Sequence, residues 1–544
     1  MSKKKRQSNL PRMSFADNGT PYQLFPAKTA MVPEELLLDS AKGGPGFFVG
    51  GINQFKDGSF VGVPPVMDGN FIIVGGSGSG KSTSVANPTL RTWPGPIFAV
   101  DVKGELAAAY AEFFETSLRQ GKLVRPYIIL DLVRPDSRSY DPLWWPLKDD
   151  QQNLVENIWE IVYALIPRRP EDDQPFWEET ERGVLAAALY YFLNLGLGFS
   201  EIMCKILSLP LTDLCQELSA SDDPIIIMTL GEVAKLKPET LACVDRGLRN
   251  KLVSFSTNGY LGHFFRGERE GAKCLNWDDL RRYNIFLRVP EDKIEQWGGA
   301  VNLIQTQLIR YLERQPDRYS DAGKDNPPVL LLFDEFARLG KLEQITNALS
   351  TLRSKNVHIA LVVQSVAQID QIYGEKARRI IFDNSQYQII MRASDPDTQR
   401  YISELIGTCI RQQSGSSEHM DAHFRITGYS DQQSEVREWA VHPHTLSTME
   451  DVILLTPYGI YRVDKAQPYL KEDKPEGNAS AQQVSAAPEY PADYWMALFK
   501  DDTKGNPDAV MLDVNERTKN AAKRASSAKR KQRKEKINPP EQKE

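Results

Sequence analysis

Short runs that are apolar at nearly every position recur along the chain. They are "FIIVGG", "PIFAVD", "PYIILD", "NIFLRV", "VLLLFDE", "VHIALVVQ" and "QYQIIM", and each stops at a polar residue or glycine. A strand with one wet face alternates apolar and polar residues; these runs do not, which predicts strands covered on both faces of a mainly parallel sheet. Between them lie stretches with helical spacing, such as "KGELAAAYAEFFETSLRQ" and "LEQITNALSTLRSK". Strand and helix in alternation predict a doubly wound α/β fold.

The alternation stops between about 150 and 280, where "LVENIWEIVYALI", "FWEETERGVLAAALYYFLNL" and "PIIIMTLGEVAKL" carry helical patterns. This predicts an all-helical unit inserted into the α/β core. Within it, "GVLAAALYYFLNLGLGF" (183–199) is at the short end for a membrane span, contains Asn194 and follows the charged "FWEETER". A buried helix is the better reading. Residues 411–437 are polar and read as a loop or hairpin, and "DVILLTPYGIYRVDK" reads as two strands about a Pro-Tyr-Gly turn. Asn87-Pro88 reads as the end of the helix that follows the first apolar run. The predicted order is an N-terminal arm (1–65) without transmembrane helices but with some short strands, a first nucleotide-binding part (66–150), the all-α unit (151–280), a second nucleotide-binding part (281–470) and a basic C-terminal tail (471–544) containing the amphipathic "YPADYWMALFK".

The net charge is only -6 over 544 residues, so the whole chain is no electrostatic magnet for nucleic acid. The ends differ: "MSKKKR" and "AAKRASSAKRKQRKEK" are basic blocks that either solubilise or touch polyanions. Polar residues follow "MSKKKR", which predicts no signal peptide. Five cysteines without a CxxC pair predict buried thiols in a reducing compartment and neither a disulfide frame nor a zinc site. His419, His423, His442 and His444 read as surface residues.

The first apolar run leads into "GGSGSGKST". Gly75, Gly80, Lys81 and Ser82 satisfy G-x-x-x-x-G-K-[ST], and Gly75, Gly76, Ser77, Gly78, Ser79, Gly80, Lys81, Ser82 and Thr83 form the candidate phosphate cradle. Glycines let backbone N–H groups converge on phosphate oxygens. Lys81 supplies a cation for the β/γ-phosphates of ATP and Ser82 an oxygen for Mg2+. In "VLLLFDEFARLG" a strand ends at Asp334 and Glu335. Asp334 suits the magnesium, and Glu335 can orient and deprotonate the attacking water, which favours a hydrolase over a kinase. An N-K-x-D guanine element and an "LSGGQ" stretch are both missing; the nearest match, "NKLV" at 250–253, lacks the Asp. Gln364 ends the next apolar run and can report on the γ-phosphate. Arg353 is a candidate arginine finger for a neighbouring subunit, with Arg338 and Arg392 as competitors.

The chain resembles the conjugative coupling proteins of type IV secretion systems, the TraG/TraD-like group, themselves relatives of the FtsK/HerA DNA pumps. The resemblance runs from about 65 to 470. It rests on the phosphate loop, on "AVDVKGEL" (99–106) against the family's D-P-K-G-E, on "SYDPLWW" (139–145) against its N-P-L, on "FWEETERGVLAAAL" and on "LLLFDEFARLGKLEQITNALSTLRSKNVHIALVVQS". It implies a RecA-like P-loop NTPase domain with an inserted all-α domain. By the same resemblance Lys81 and Ser82 meet phosphates and magnesium, Asp334 and Glu335 handle metal and water, Gln364 follows the acidic strand, and Arg353 acts across subunits. It further implies hexameric rings that use ATP to drive single- or double-stranded DNA with its relaxase, or protein, toward a secretion channel.

Two features depart from the family pattern. Val102 stands where the segment usually has Pro, and the chain starts in a polar basic arm where the family opens with transmembrane helices. This predicts a cytoplasmic protein, peripheral at the bacterial inner membrane through an anchoring partner. A cytosolic DNA pump without a channel, and a substrate adaptor whose ATP site only controls assembly, are the alternatives.

Overall fold

The computed structural model describes residues 32–466, except 39–43, 53–59, 135–136, 145, 147–152, 168–175, 232, 258, 268–273, 343 and 421–425. The basic ends, "YPADYWMALFK" and His423 lie outside the described residues.

All seven apolar runs are strands: β3 (Phe71–Val74), β4 (Ile97–Asp101), β5 (Tyr127–Asp131), β8 (Asn284–Arg288), β9 (Val329–Phe333), β10 (Val357–Val363) and β11 (Tyr387–Ile390). They pair in parallel in the order β11-β3-β10-β9-β4-β8-β5. The "DVILLTPYGIYRVDK" pair, β14 (Val452–Thr456) and β15 (Gly459–Val463), extends the sheet antiparallel beyond β11. Side chains alternate between faces along a strand, so each strand feeds two cores. Ile72, Val74, Phe98, Val100, Leu331, Phe333, Ile359 and Leu361 enter one. Phe71, Ile73, Ile97, Ala99, Leu330, Leu332, Ala360 and Val362 enter the other. The helix Glu105–Arg119 covers the second face with Leu106, Tyr110, Ala111 and Phe114. Two buried asparagines pin strand starts. Asn70 donates to Leu349 O (2.7 Å) and Asn384 O (3.0 Å) and accepts from Ile359 N (3.0 Å), while Asn284 accepts from Ile97 N (2.9 Å).

Between β5 and β8 the chain is mostly helical: Leu154–Leu165, Phe176–Asn194, Phe199–Ser208, Leu211–Ser219, Pro224–Leu230, Pro238–Thr257 and Gly259–Phe264. A short parallel bridge of β6 (Ser139–Tyr140) with β7 (Cys274–Leu275) closes its base. The core of these helices is continuous with one face of the sheet. The apolar 183–194 stretch lies in the helix Phe176–Asn194, which buries Val184, Leu185, Leu189 and Phe192. Its buried charges are matched: Arg182 meets Glu178 at 3.2 Å and donates to Ile166 O at 2.8 Å, and Lys251 pairs with Glu181. Charges buried this way persist only when paired. Among the described residues no helix is long and apolar enough to cross a membrane.

Four elements add to or correct the sequence reading. The arm carries an antiparallel pair, β1 (Phe47–Gly51) with β2 (Phe60–Val63). Of residues 411–437, 411–420 and 426–437 lie in a pair of antiparallel strands, β12 (Thr408–Met420) and β13 (Ile426–Trp439). Of the five cysteines Cys215 is buried, Cys274 and Cys409 are half-buried, and Cys204 and Cys243 are exposed, so the expectation of buried thiols is corrected for all but Cys215. Asn87-Pro88 does not end its helix. Ser82–Ala86 is a π-helical turn, in which the Asn87 N–H reaches back to Ser82 O, and an α-helix continues over Asn87–Thr92. Proline lacks an N–H and crowds the carbonyl four residues back; the wider turn accommodates both effects.

Candidate active site

The parallel strands all present their carboxyl ends at one edge of the sheet. There β3, β10, β9 and β4 stand side by side, carrying the phosphate-loop sequence, Gln364, Asp334-Glu335 and Asp101-Lys103 respectively. The carboxyl edge of an open α/β sheet is where ligands bind.

The loop after β3 is shaped by its glycines. Gly78 (φ 68°) and Gly80 (φ 93°) are left-handed, a region other residues rarely adopt. A Cβ on Gly75 would stand 2.7 Å from Ser79 Oγ and 2.9 Å from Met391 Cβ. Ser79 Oγ and Ser84 Oγ are buried without a hydrogen-bond partner. Lys81 Nζ donates to Gly75 O (2.6 Å) and Gly76 O (3.0 Å). Burial holds its ammonium below the usual lysine range, although Asp334 and Glu335 pull the other way. Two more cations grip the loop from outside. Arg392 donates to Gly78 O at 3.2 Å, and Lys465, just past β15, donates to Ser79 O at 2.6 Å. Ser77 and Thr83 are exposed, and Ser82 is half-buried at the head of the π turn.

Asp334 is 3% exposed, and among the described residues no hydrogen bond or salt bridge ends on its carboxylate. Burial, with Asp101 and Glu335 nearby, pushes that carboxyl up to about 6 against the pull of Lys103 and Lys81. A carboxylate this buried is costly to ionise, and a cation beside it relieves the cost. Glu335 is one of two non-glycine residues with positive φ (50°) among those described. Such strain concentrates at functional positions. Its Oε1 meets Lys103 Nζ at 2.6 Å and Gln364 Nε2 at 3.4 Å, and its Oε2 meets Arg338 at 2.9 Å. Burial raises the Glu335 carboxyl, but Lys103 and Arg338 outweigh it and hold it below the usual range. Arg338 also pairs with Glu291.

The geometry thus brings Lys81, Asp334, Glu335 and Gln364 to one edge. Arg353 is elsewhere. It sits in the turn Leu352–Lys355 before β10, 3.7 Å from Asp68, which also takes Arg318 and the Tyr319 hydroxyl. The seven residues of β10 separate it from Gln364, roughly 20 Å along a strand. Arg338 and Arg392, the competing finger candidates, are both engaged within this chain's own site.

Sequence reasoning assigned no role to Asp101, Lys103 or Lys465. Asp101 accepts from Gly104 N and Ala107 N, both at 2.8 Å. That fixes the turn which aims Lys103 across β9. The signal was present in "AVDVKGEL"; for Lys465 there was none beyond its place after the last strand.

The full sequence matches the family model Type IV secretory system Conjugative DNA transfer over residues 22–489. The chain belongs to that family. Among curated relatives, the VirD4 protein of Rhizobium radiobacter is 24% identical over 62% of this chain and 48% of its own length. The chain therefore spans about half the length of the curated relatives it matches. Among solved structures, the unbound bacterial conjugative coupling protein TrwBdeltaN70 gives a TM-score of 0.57 at 16% identity, covering 73% of this chain and 84% of that one. TrwB in complex with ADP and Mg2+ gives 0.55 at 15% identity, covering 75% and 87%. The shared fold has a mostly parallel central sheet covered by helices, as the sequence pattern predicts, and is consistent with the P-loop NTPase fold that the resemblance implies.

Proposed function

We propose that this chain is an ATP-hydrolysing coupling protein, which recruits DNA with its relaxase, or protein, and drives it to a type IV secretion channel in conjugative transfer. The observation that carries the reading is the buried Asp334 carboxylate, on which no hydrogen bond or salt bridge ends among the described residues, beside strained Glu335 and one strand removed from the loop of Lys81. The residues present fit a magnesium nucleotide. Loop N–H groups and Lys81 would hold the phosphates, and Ser82 and Asp334 would hold the metal, which would supply neutralisation of phosphate charge. Glu335 takes the proton of the attacking water. Gln364, at the end of β10 and in reach of Glu335, reports on the γ-phosphate. Arg353, remote from its own loop, serves the neighbouring subunit's nucleotide, so the working form is a ring, read here as a hexamer. The division into two nucleotide-binding parts around an all-α unit at 151–280, and a place at the cytoplasmic face of the inner membrane through an anchoring partner, belong to the same proposal.

The test is ATP turnover with and without single-stranded and duplex DNA, with particle size followed in parallel. DNA is expected to raise turnover and to promote assembly together. Its affinity should fall steeply between low and moderate salt, because phosphate contacts release counterions. Turnover that ignores DNA and is independent of particle size rejects the coupling role.

A further inference from the structure

In the geometry described, both carboxylate oxygens of Glu335 are occupied: Oε1 by Lys103 and Gln364, Oε2 by Arg338. Two of these contacts are charge-assisted and tie each oxygen to a cation, so this is a resting arrangement for a general base. Of the two cations Lys103 is the freer to leave. Arg338 is anchored a second time by Glu291, and Gln364 makes only a long neutral contact. Lys103 has one salt bridge, a flexible stem and 42% of its side chain exposed. Its turn is rigid, because Asp101 ties down Gly104 N and Ala107 N. Gly104 (φ 75°) holds a left-handed conformation that other residues rarely adopt. The lysine is thus mounted on a fixed base beside β9 and is free only at its tip.

We infer that Lys103 is the γ-phosphate-sensing residue of this site: in the empty site its ammonium restrains Glu335, and when a triphosphate binds it moves to the γ-phosphate and releases Oε1 to the attacking water. Both partners are oxyanions, and the lysine exchanges one charge-assisted bond for another. A diphosphate offers no γ-oxygen, so with ADP the restraint on Glu335 persists. Hydrolysis therefore resets the site. This rests on the ATPase reading above and names what tells that site triphosphate from diphosphate.

The experiment measures the affinities of ADP and of a non-hydrolysable ATP analogue, with Mg2+, for the parent chain and for the Lys103→Met and Lys103→Arg variants. Lys103→Met is expected to lose several-fold in affinity for the triphosphate analogue, the net of the bond to the γ-phosphate over the bond to Glu335 that it replaces, while ADP affinity stays within about 2-fold. Lys103→Arg is expected to recover most of the difference. Equal losses for both nucleotides, or no loss for either, overturn the inference. Thermal unfolding without nucleotide shows whether Lys103→Met is folded; if it is not, Lys103→Arg and Lys103→Gln carry the same comparison. If the parent chain binds neither nucleotide, the ATPase reading itself fails, a different outcome from equal losses in the variant.

Discussion

Exchanging Glu335 for Gln is expected to lower ATP turnover by about 100-fold or more while magnesium nucleotide still binds. The side chains have nearly the same shape, so the contact with Gln364 and the left-handed backbone at this position (φ 50°) are retained. What is lost is the proton acceptor, and general-base catalysis contributes about 10²–10⁴-fold. The substitution also frees Lys103 and Arg338 from their shared anion. Two cations then face the triphosphate without competition, so nucleotide affinity should hold or rise. Turnover assays paired with equilibrium binding separate these effects. Turnover within about 3-fold of the parent would remove Glu335 from the chemistry.

The second large effect is expected at Arg353. Arg353→Ala should cost about 10³-fold in turnover, the usual worth of an arginine finger, without changing nucleotide affinity of the dispersed subunit. In the folded chain Arg353 is half exposed and 3.7 Å from Asp68. An exposed pair of this kind contributes little stability, so the fold should survive. Since the strand β10 stands between Arg353 and its own loop, the proposed finger role requires it to work across an interface. Mixing Arg353→Ala with Glu335→Gln subunits should therefore restore part of the activity that neither has alone, because some interfaces then join an intact glutamate to an intact arginine. If mixtures stay inactive while the parent assembles and turns over normally, Arg353 is not a trans-acting finger.

Much of the fold was legible because seven strands are buried on both faces, and a run such as "VLLLFDE" has no other economical use in a chain of this composition. The glycine-lysine loop was legible for a related reason: its backbone demands glycine at Gly78 and Gly80. The pairs β1–β2 and β6–β7 left only weak traces, being glycine-rich or two residues long. The helix through Pro88 was misread because proline normally stops an α-helix, and a π turn that absorbs it leaves no mark in the local sequence. Within the site, Asp334 and Glu335 announced themselves by position at a strand end. Lys103 did not, because its partner Glu335 is brought to it by the pairing of β4 with β9, a tertiary fact. Arg353 was picked as a finger from its place before β10. That it stands at the far end of the sheet from its own loop follows from the parallel topology, which local patterns cannot reveal.

The central claim is that Asp334 holds a magnesium ion on a nucleotide gripped by Lys81. Its most direct test is a binding titration of a non-hydrolysable ATP analogue, with Mg2+ and with a chelator, against the parent chain, Asp334→Asn and Lys81→Ala. The account predicts that Mg2+ tightens binding to the parent, that Asp334→Asn binds as the parent does with chelator and gains little from Mg2+, and that Lys81→Ala binds weakly in both. An Asp334→Asn chain that responds to Mg2+ as strongly as the parent would contradict it.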